Sequence, residues 1–364
     1  MPGVNRLLPV VRPTAPVLLL CGYYGEHNLG DDALLQVLVS SLPEPQQLLI
    51  TARDPAPVLA LAPSAQTVNR RSLRLCLRAA LRADVLVLGG GSLLQDSTSW
   101  RSLLYYAALI LTARLQRKPV ILWAQGLGPL RRRRSRLLVG RLLPLVAAAS
   151  WRDHQSAALA QQLAGANRGT DPVGADPVWT LPPMHWRGRG GPIVLAWRSS
   201  GLLTEEGWRV LLEALAELAE RNDRPVLWLP LHDAQDGGLL QRLQEQGLLP
   251  ATLAARSREI RLQRPEELMA QASAAGLVLA MRLHGLILAA RAGAPVAALS
   301  YDPKVAAAAE ALGCPWADLQ PLPAAETLLS SWQQQLDQPQ PSAAIEAQVR
   351  SAAQHPALLR SATP

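Results

Sequence analysis

Four side chains suited to an anion stand at the ends of apolar runs: Arg152 in SWRDHQS, Arg282 and His284 in MRLHGL, and Lys304 in SYDPK, a segment that begins with Ser300. Arg presents a planar fork matched to carboxylate or phosphate, Lys a compact charge, and His a group that exchanges protons near neutrality. The spacing predicts that Arg282, His284 and Lys304 converge from neighbouring strand ends, with Arg152 reaching the same cleft from the other half of the chain. Such a set can hold an anionic substrate and move a proton on it, with His284 as acid/base. Taken singly, each has a plainer explanation: a lone His is usually structural, and Arg152 could pair with Asp153 or another acid.

Three glycine-rich loops accompany these residues. GYYGEHNLGDD, from Gly22 to Asp32, is not the dinucleotide fingerprint, because Gly22, Gly25 and Gly30 are spaced three and five apart. Backbone amides can approach a ligand there, and Asn28 and Asp31 can meet sugar hydroxyls; alternatively Asp31 or Asp32 caps the next helix. In GGGSLLQD, Gly90 and Gly91 permit close approach of a substrate. In AQGLGPL, Gln125 and Gly126 sit where a ligand would lie, and Arg198 ends a further apolar run.

Placing these groups at one cleft requires parallel sheets, whose ligands collect at the carboxyl ends of the strands. Continuous apolar runs at Val17 to Cys21, Leu48 to Thr51, Val85 to Leu88 and Val120 to Trp123 predict buried parallel strands. Helices are expected at Asp31 to Ser41, Arg71 to Arg82, Ser99 to Arg117 and Arg132 to Ala147. The pattern restarts with strands at Ile193 to Trp197, Val226 to Pro230, Leu277 to Met281 and Val296 to Leu299, with helices from about Glu205, Gly238, Pro265, Gly285 and Pro303. The fold class is therefore α/β, with two Rossmann-like doubly wound domains facing across a cleft. The expected division is a first domain over 1–180, a Pro-, Gly- and Arg-rich linker over 181–191, a second domain over 192–320 and a helical tail over 321–364.

Composition narrows the function. The chain has 364 residues and a net charge of +8, and its only two lysines are Lys118 and Lys304. All of the excess charge is N-terminal: residues 1–180 carry +10, whereas residues 181–364 carry −2. Residues 70–152 hold 16 basic side chains against Asp84 and Asp96 alone, a density that attracts phosphates, polyanions or an anionic membrane. No nucleic-acid-binding motif accompanies it, so no nucleic acid is expected as partner. Cys21, Cys76 and Cys314 lack pairing or metal spacing, which predicts a reducing compartment. The longest apolar stretch, Leu103 to Ala113, is too short for a bilayer span, and no leader pattern is evident. The expectation is a soluble, cytoplasmic protein.

Together, GYYGEHNLGDDALL, GGGSLLQD, AQGLGPL, SWRDHQS, MRLHGLILAA and SYDPKV resemble, in order and spacing, the polysaccharide pyruvyl transferase family of the CsaB type. The resemblance spans about residues 17–315 and implies the two-domain GT-B architecture. It also implies transfer of the enolpyruvyl group of phosphoenolpyruvate, as co-substrate, to a sugar of an envelope polysaccharide or its lipid-linked precursor, forming a cyclic ketal. On that basis Arg152, Arg282, His284, Ser300 and Lys304 belong to the donor side. Gly25, Asn28, Gly30, Asp31, Gly90, Gly91, Gln125, Gly126 and Arg198 belong to the acceptor side. No metal or other cofactor is called for.

The resemblance further implies acceptors often built on a lipid carrier at the cytoplasmic membrane. Arg70, Arg74, Arg78 and Arg82, four apart on one helix, together with Arg131, Arg132, Arg133 and Arg134, are then candidates for peripheral contact with anionic lipid, although a solvated helix face explains them equally simply. Two alternatives remain: a nucleotide-sugar glycosyltransferase on the same architecture, and a non-catalytic glycan- or anion-binding protein.

Overall fold

The computed structural model describes residues 15–43, 46–97, 99–165 and 171–362. The outermost residues of the expected first domain (1–14) and of the tail (363–364) lie outside the described residues. Two six-stranded sheets, parallel throughout, form the framework. The first has the order β3-β2-β1-β4-β5-β6, comprising β1 (Val17–Tyr24), β2 (Gln47–Ala52), β3 (Gln66–Asn69), β4 (Val85–Leu88), β5 (Val120–Gln125) and β6 (Ala148–Trp151). The second repeats this winding as β9-β8-β7-β10-β11-β12, comprising β7 (Ile193–Ala196), β8 (Val226–Trp228), β9 (Ser257–Glu259), β10 (Leu277–Ala280), β11 (Val296–Ser300) and β12 (Trp316–Asp318). Each sheet reverses its winding once, between β1 and β4 and between β7 and β10. Those switch points are where such sheets open a ligand crevice.

The central strands form because both of their faces are covered. Every residue of β4, β5, β7, β10 and β11 is buried. The edge strands β3, β9 and β12 were not expected from sequence. They are short and half-exposed, so they carry no apolar run. Helix starts are set by side-chain caps: Asn28 accepts from Gly30 N, Ser72 from Leu75 N, Asp153 from Ser156 N and Asp302 from Lys304 N. The helix expected over Arg132 to Ala147 stops at Leu142, where Pro144 forces a 3-10 turn.

One apolar core runs between the two sheets. The helix Leu29–Ser41 packs against Pro265–Ser273, Leu283–Arg291 and Gln354–Ala362. The chain segment that joins the sheets lies on the second of them: Met184 N donates to Arg291 O, Arg187 N to Ser273 O, and Trp186 Nε1 to Ala275 O at 2.7 Å. After Ala325–Gln335 has packed on Glu205–Arg221, the two final helices turn back: Ser342–Ala352 packs on Pro177–Thr180 and Pro303–Leu312, and Gln354–Ala362 reaches β5 and β6 of the first sheet. His355 fastens them there, since Nδ1 lies 2.9 Å from Ser150 Oγ and Nε2 lies 2.8 Å from Ala175 O.

The basic surface differs from expectation at Arg70. Arg70 is not on the helix with Arg74, Arg78 and Arg82, because Ser72 caps that helix at Leu73. Arg70 instead pairs with the buried Glu26, its guanidinium 4.4 Å from the centroid of the Tyr23 ring.

Candidate functional site

The carboxyl ends of β4, β5 and β6 bring three loops together. Gly126 N donates to Gly91 O at 2.8 Å, laying the loop after β5 beside the glycine loop after β4. Ser92 thereby stands over Gly126, where a Cβ would come within 2.6 Å of Ser92 Oγ and 2.7 Å of Arg152 Nη2. Only glycine leaves that space. Arg152, which follows β6, is fixed by its own amide on Gln125 O at 3.1 Å.

Ser92 Oγ is the meeting point of two cations. Arg152 Nη2 donates to it at 3.1 Å, and Lys304 Nζ donates to it from the other sheet at 2.9 Å. Lys304 is carried there by the helix Pro303–Leu312, which Asp302 caps. Burial and then the Arg152 charge hold the Lys304 ammonium below its usual range, against the pull of Asp302, Asp153 and Asp176. Two partly desolvated cations on one neutral hydroxyl make a ready site for a phosphate or carboxylate.

Asp176 joins this site to His284. Its Oδ2 accepts from Arg152 Nη1 at 3.1 Å and lies 3.3 Å from His284 Nε2, while Oδ1 accepts from Val178 N. Although burial opposes it, the nearby His284 and Arg152 hold the Asp176 carboxyl well below the usual carboxylate range. The opposite ring nitrogen of His284 faces the first loop, because a Cβ at Gly30 would stand 2.1 Å from Nδ1. Asp31, next in the chain, lies half-buried beside Gly91, and its carboxylate also accepts from Asn28 Nδ2. Burial pushes Asp31 up to about 6, with His284 and three arginines pulling against it, and pushes Asp32 up to about 7 with Asp31 adding to the rise.

Arg152, His284 and Lys304 are thus together, with Gly30, Asp31, Gly91 and Gly126 around them. Other residues singled out from sequence are occupied elsewhere. Arg282 does not join Lys304: it forms a two-pronged pair with the buried Asp236, through Nε at 2.9 Å and through Nη2, and Nη2 also reaches Gln235 at 3.1 Å. Gln125 is fully buried, and its amide donates to the carbonyls of Leu88 and Gly89 within the sheet, so it does not line the cleft. Gly90 packs on Leu34, and Gly25, at φ +67°, packs on the Asp54 backbone. Ser300 Oγ is used on Asp302 O at 3.1 Å. Arg198 lies over the Tyr301 ring, 5.0 Å from its centroid. Asn28 caps its helix.

Sequence reasoning missed Ser92, Asp176 and His232. Ser92 lies inside a loop noted only for its glycines, and Asp176 opens a 3-10 turn in a stretch without periodicity. His232 follows β8 and is buried, with neither ring nitrogen hydrogen-bonded. There the first loop and the second sheet join through Leu29 N to Leu231 O at 2.9 Å and Asp233 N to His27 O at 3.1 Å. A cavity of about 580 Å³ lies beside this junction, lined by Glu26, His27, Arg53, Asp54, Pro55, Asp233 and Ala234. Among the described residues no group of three or more His, Cys, Asp or Glu is arranged to hold a metal ion.

The comparisons agree with this architecture. The UDP-GlcNAc 2-epimerase of Methanocaldococcus jannaschii superposes with a TM-score of 0.63 at 13% identity, covering 95% of this chain and 99% of that one. HepE of Anabaena, solved with UDP and glucose, gives 0.56 at 13% identity over 95% and 98%. The UDP-GlcNAc 2-epimerase of Neisseria meningitidis, bound to UDP-GlcNAc, gives 0.58 at 14% over 92% and 94%. A search of curated proteins gave no sequence match. The fold is thus of the GT-B class, two Rossmann-like domains around a cleft. Within that class the family model for polysaccharide pyruvyl transferase matches residues 28–303, and the chain belongs to that family; it is a transferase.

Proposed function

We propose that the protein transfers the enolpyruvyl group of phosphoenolpyruvate to two hydroxyls of one sugar, forming a pyruvate ketal and releasing phosphate. The acceptor is an envelope polysaccharide or its lipid-linked precursor, met at the inner face of the cytoplasmic membrane. The observation that carries this is the convergence of Arg152 and Lys304 on Ser92 Oγ, next to His284. Phosphoenolpyruvate is small and doubly anionic, and a compact pair of cations beside an imidazole suits it.

The chemistry balances with these groups. The first sugar hydroxyl attacks C2 as C3 gains a proton, the C2–O bond to phosphate breaks, and the second hydroxyl then closes the ketal at C2. Of the two hydroxyl protons one is matched by the new C3–H bond, and the other leaves with phosphate. His284 moves the proton, held by Asp176. Arg152 and Lys304 stabilise the departing phosphate. The cavity at the domain junction, lined by Glu26, Asp54 and Asp233 alongside His27 and Arg53, suits sugar hydroxyls better than a second anion.

Phosphate release from phosphoenolpyruvate in the presence of a panel of glycosides tests the proposal, with a mass gain on the glycoside as the second readout. Release of nucleotide from a sugar nucleotide instead would support the glycosyltransferase alternative.

A further inference from the structure

Pyruvyl transfer makes no use of the outer face of the first domain. Three helices, Leu73–Arg82, Trp100–Leu115 and Arg133–Leu142, lie side by side there, their inward residues sharing one core. Their outward residues do not follow the usual polar pattern of a solvated face. Of the eleven large hydrophobic side chains exposed among the described residues, seven are leucines on these helices. Leu73, Leu75 and Leu81 are on the first, Leu104, Leu111 and Leu115 form one stripe on the second, and Leu137 is on the third; Leu115 is 85% exposed.

Between the leucines stand exposed arginines: Arg74, Arg78 and Arg82 on the first helix, Arg131 to Arg134 and Arg141 at the third. Trp100, half-buried, has the Arg134 guanidinium 4.5 Å from its ring centroid. Among the described residues, none of the three helices carries an acid. Asp96 is buried under the third helix, accepting from Arg131 N, Arg132 N and Ser135 Oγ, and Asp84, just beyond the end of the first helix, accepts from Val17 N.

We infer that this face docks on an anionic lipid bilayer, with the leucines entering the boundary between headgroups and acyl chains and the arginines holding lipid phosphates. Arg paired with aliphatic side chains in the absence of acids is the composition of an interfacial membrane surface. No described helix is long and apolar enough to cross a membrane, so the contact is peripheral. Each of the three helices starts at the carboxyl edge of the first sheet, so the docked face adjoins the rim of the cleft and brings a lipid-borne acceptor to it. This use rests on the acceptor proposed above, whereas the docking itself is measured without turnover.

The test is co-sedimentation of the whole protein with phosphatidylcholine vesicles, with and without phosphatidylglycerol, at low and high salt. The wild type is expected on the anionic vesicles only. Arg74→Glu/Arg78→Glu/Arg82→Glu should weaken binding at least about tenfold, since each basic group near an anionic surface adds to the attraction. Leu104→Ser/Leu111→Ser/Leu115→Ser should bind at low salt and come off at high salt, where the wild type stays. All three residues are exposed, and an unchanged melting temperature checks the fold. Wild type that ignores anionic vesicles overturns the inference, as does a leucine variant as salt-resistant as the wild type. So does a dimer that the leucine substitutions make monomeric with no vesicle binding, because the face then meets a second copy. Both variants should turn over a water-soluble glycoside at the wild-type rate. Vesicle binding by a protein that leaves phosphoenolpyruvate untouched would retain the docking and reject the transfer.

Discussion

The His284 imidazole rests on the backbone of Gly30, across the gap between the two sheets: a Cβ at Gly30 would stand 2.1 Å from Nδ1. The Gly30 backbone is helical, so its glycine is needed for space and not for an unusual dihedral. Gly30→Ala should therefore push the imidazole off Asp176 and leave both domains folded. We expect the turnover rate to fall by about tenfold to a hundredfold, as when a reacting group moves by about 1 Å. Far-ultraviolet circular dichroism unchanged from wild type, combined with that loss, is the expected pair of results; full activity would mean that the contact does not position His284.

Asp176 serves two partners, so its removal has two effects. Asp176→Asn keeps the shape but leaves the buried Arg152 without its counter-charge, which should destabilise the fold by about 3 kcal/mol. It also frees His284 Nε2, and turnover should fall further than the stability loss explains. Ser92→Ala breaks neither pair. It should raise the KM for the donor with little change in melting temperature.

Lys304 is one of only two lysines in a chain with 34 arginines; its ammonium donates to Ser92 Oγ beside Arg152, while its backbone amide donates to the Asp302 cap. A guanidinium is larger and planar. Lys304→Arg should cost at least about tenfold in kcat/KM for the donor, because an Arg does not substitute for a Lys at a site of fixed geometry. Steady-state kinetics with wild-type values would make the scarcity of lysine a matter of composition alone.

Asp31 and Asp32 give the stability a pH signature. Their folded values, about 6 and about 7, lie above the 3.8 of a free Asp. The folded state therefore retains protons that the unfolded chain has released. Stability from these two groups is complete below about pH 4 and is lost as pH rises through their folded values. His232 and His355, held low by burial, act in the opposite sense. The difference between wild type and Asp32→Asn isolates the carboxyl group. Denaturant midpoints between about pH 4 and about pH 8 should fall more steeply for the wild type, and parallel curves would place that proton elsewhere.

The winding of both sheets was legible because central parallel strands must be apolar on both faces, as β4, β5, β7, β10 and β11 are. The edge strands escaped because one side of each stays open. The strand-end positions of Arg152, His284 and Lys304 were likewise readable from spacing. Their orientation was not. Whether Arg282 turns toward Lys304 or toward Asp236 depends on where a separate loop, after β8, leaves a carboxylate. Gln125 lies at a strand end like the others, yet its amide turns inward and donates to the carbonyls of Leu88 and Gly89. Asp176 and Ser92 gain their roles only through partners on other elements, which no local pattern encodes.

Action of Arg152, Lys304 and His284 on phosphoenolpyruvate is the step on which the proposed function depends. Its most direct test is phosphate release from phosphoenolpyruvate by wild type and by His284→Ala, measured with a glycan acceptor whose mass is followed in the same reaction. Phosphate and pyruvate ketal are expected in equal amounts from the wild type, and neither from a His284→Ala protein that melts like the wild type. Ketal formation at the wild-type rate by His284→Ala would contradict it.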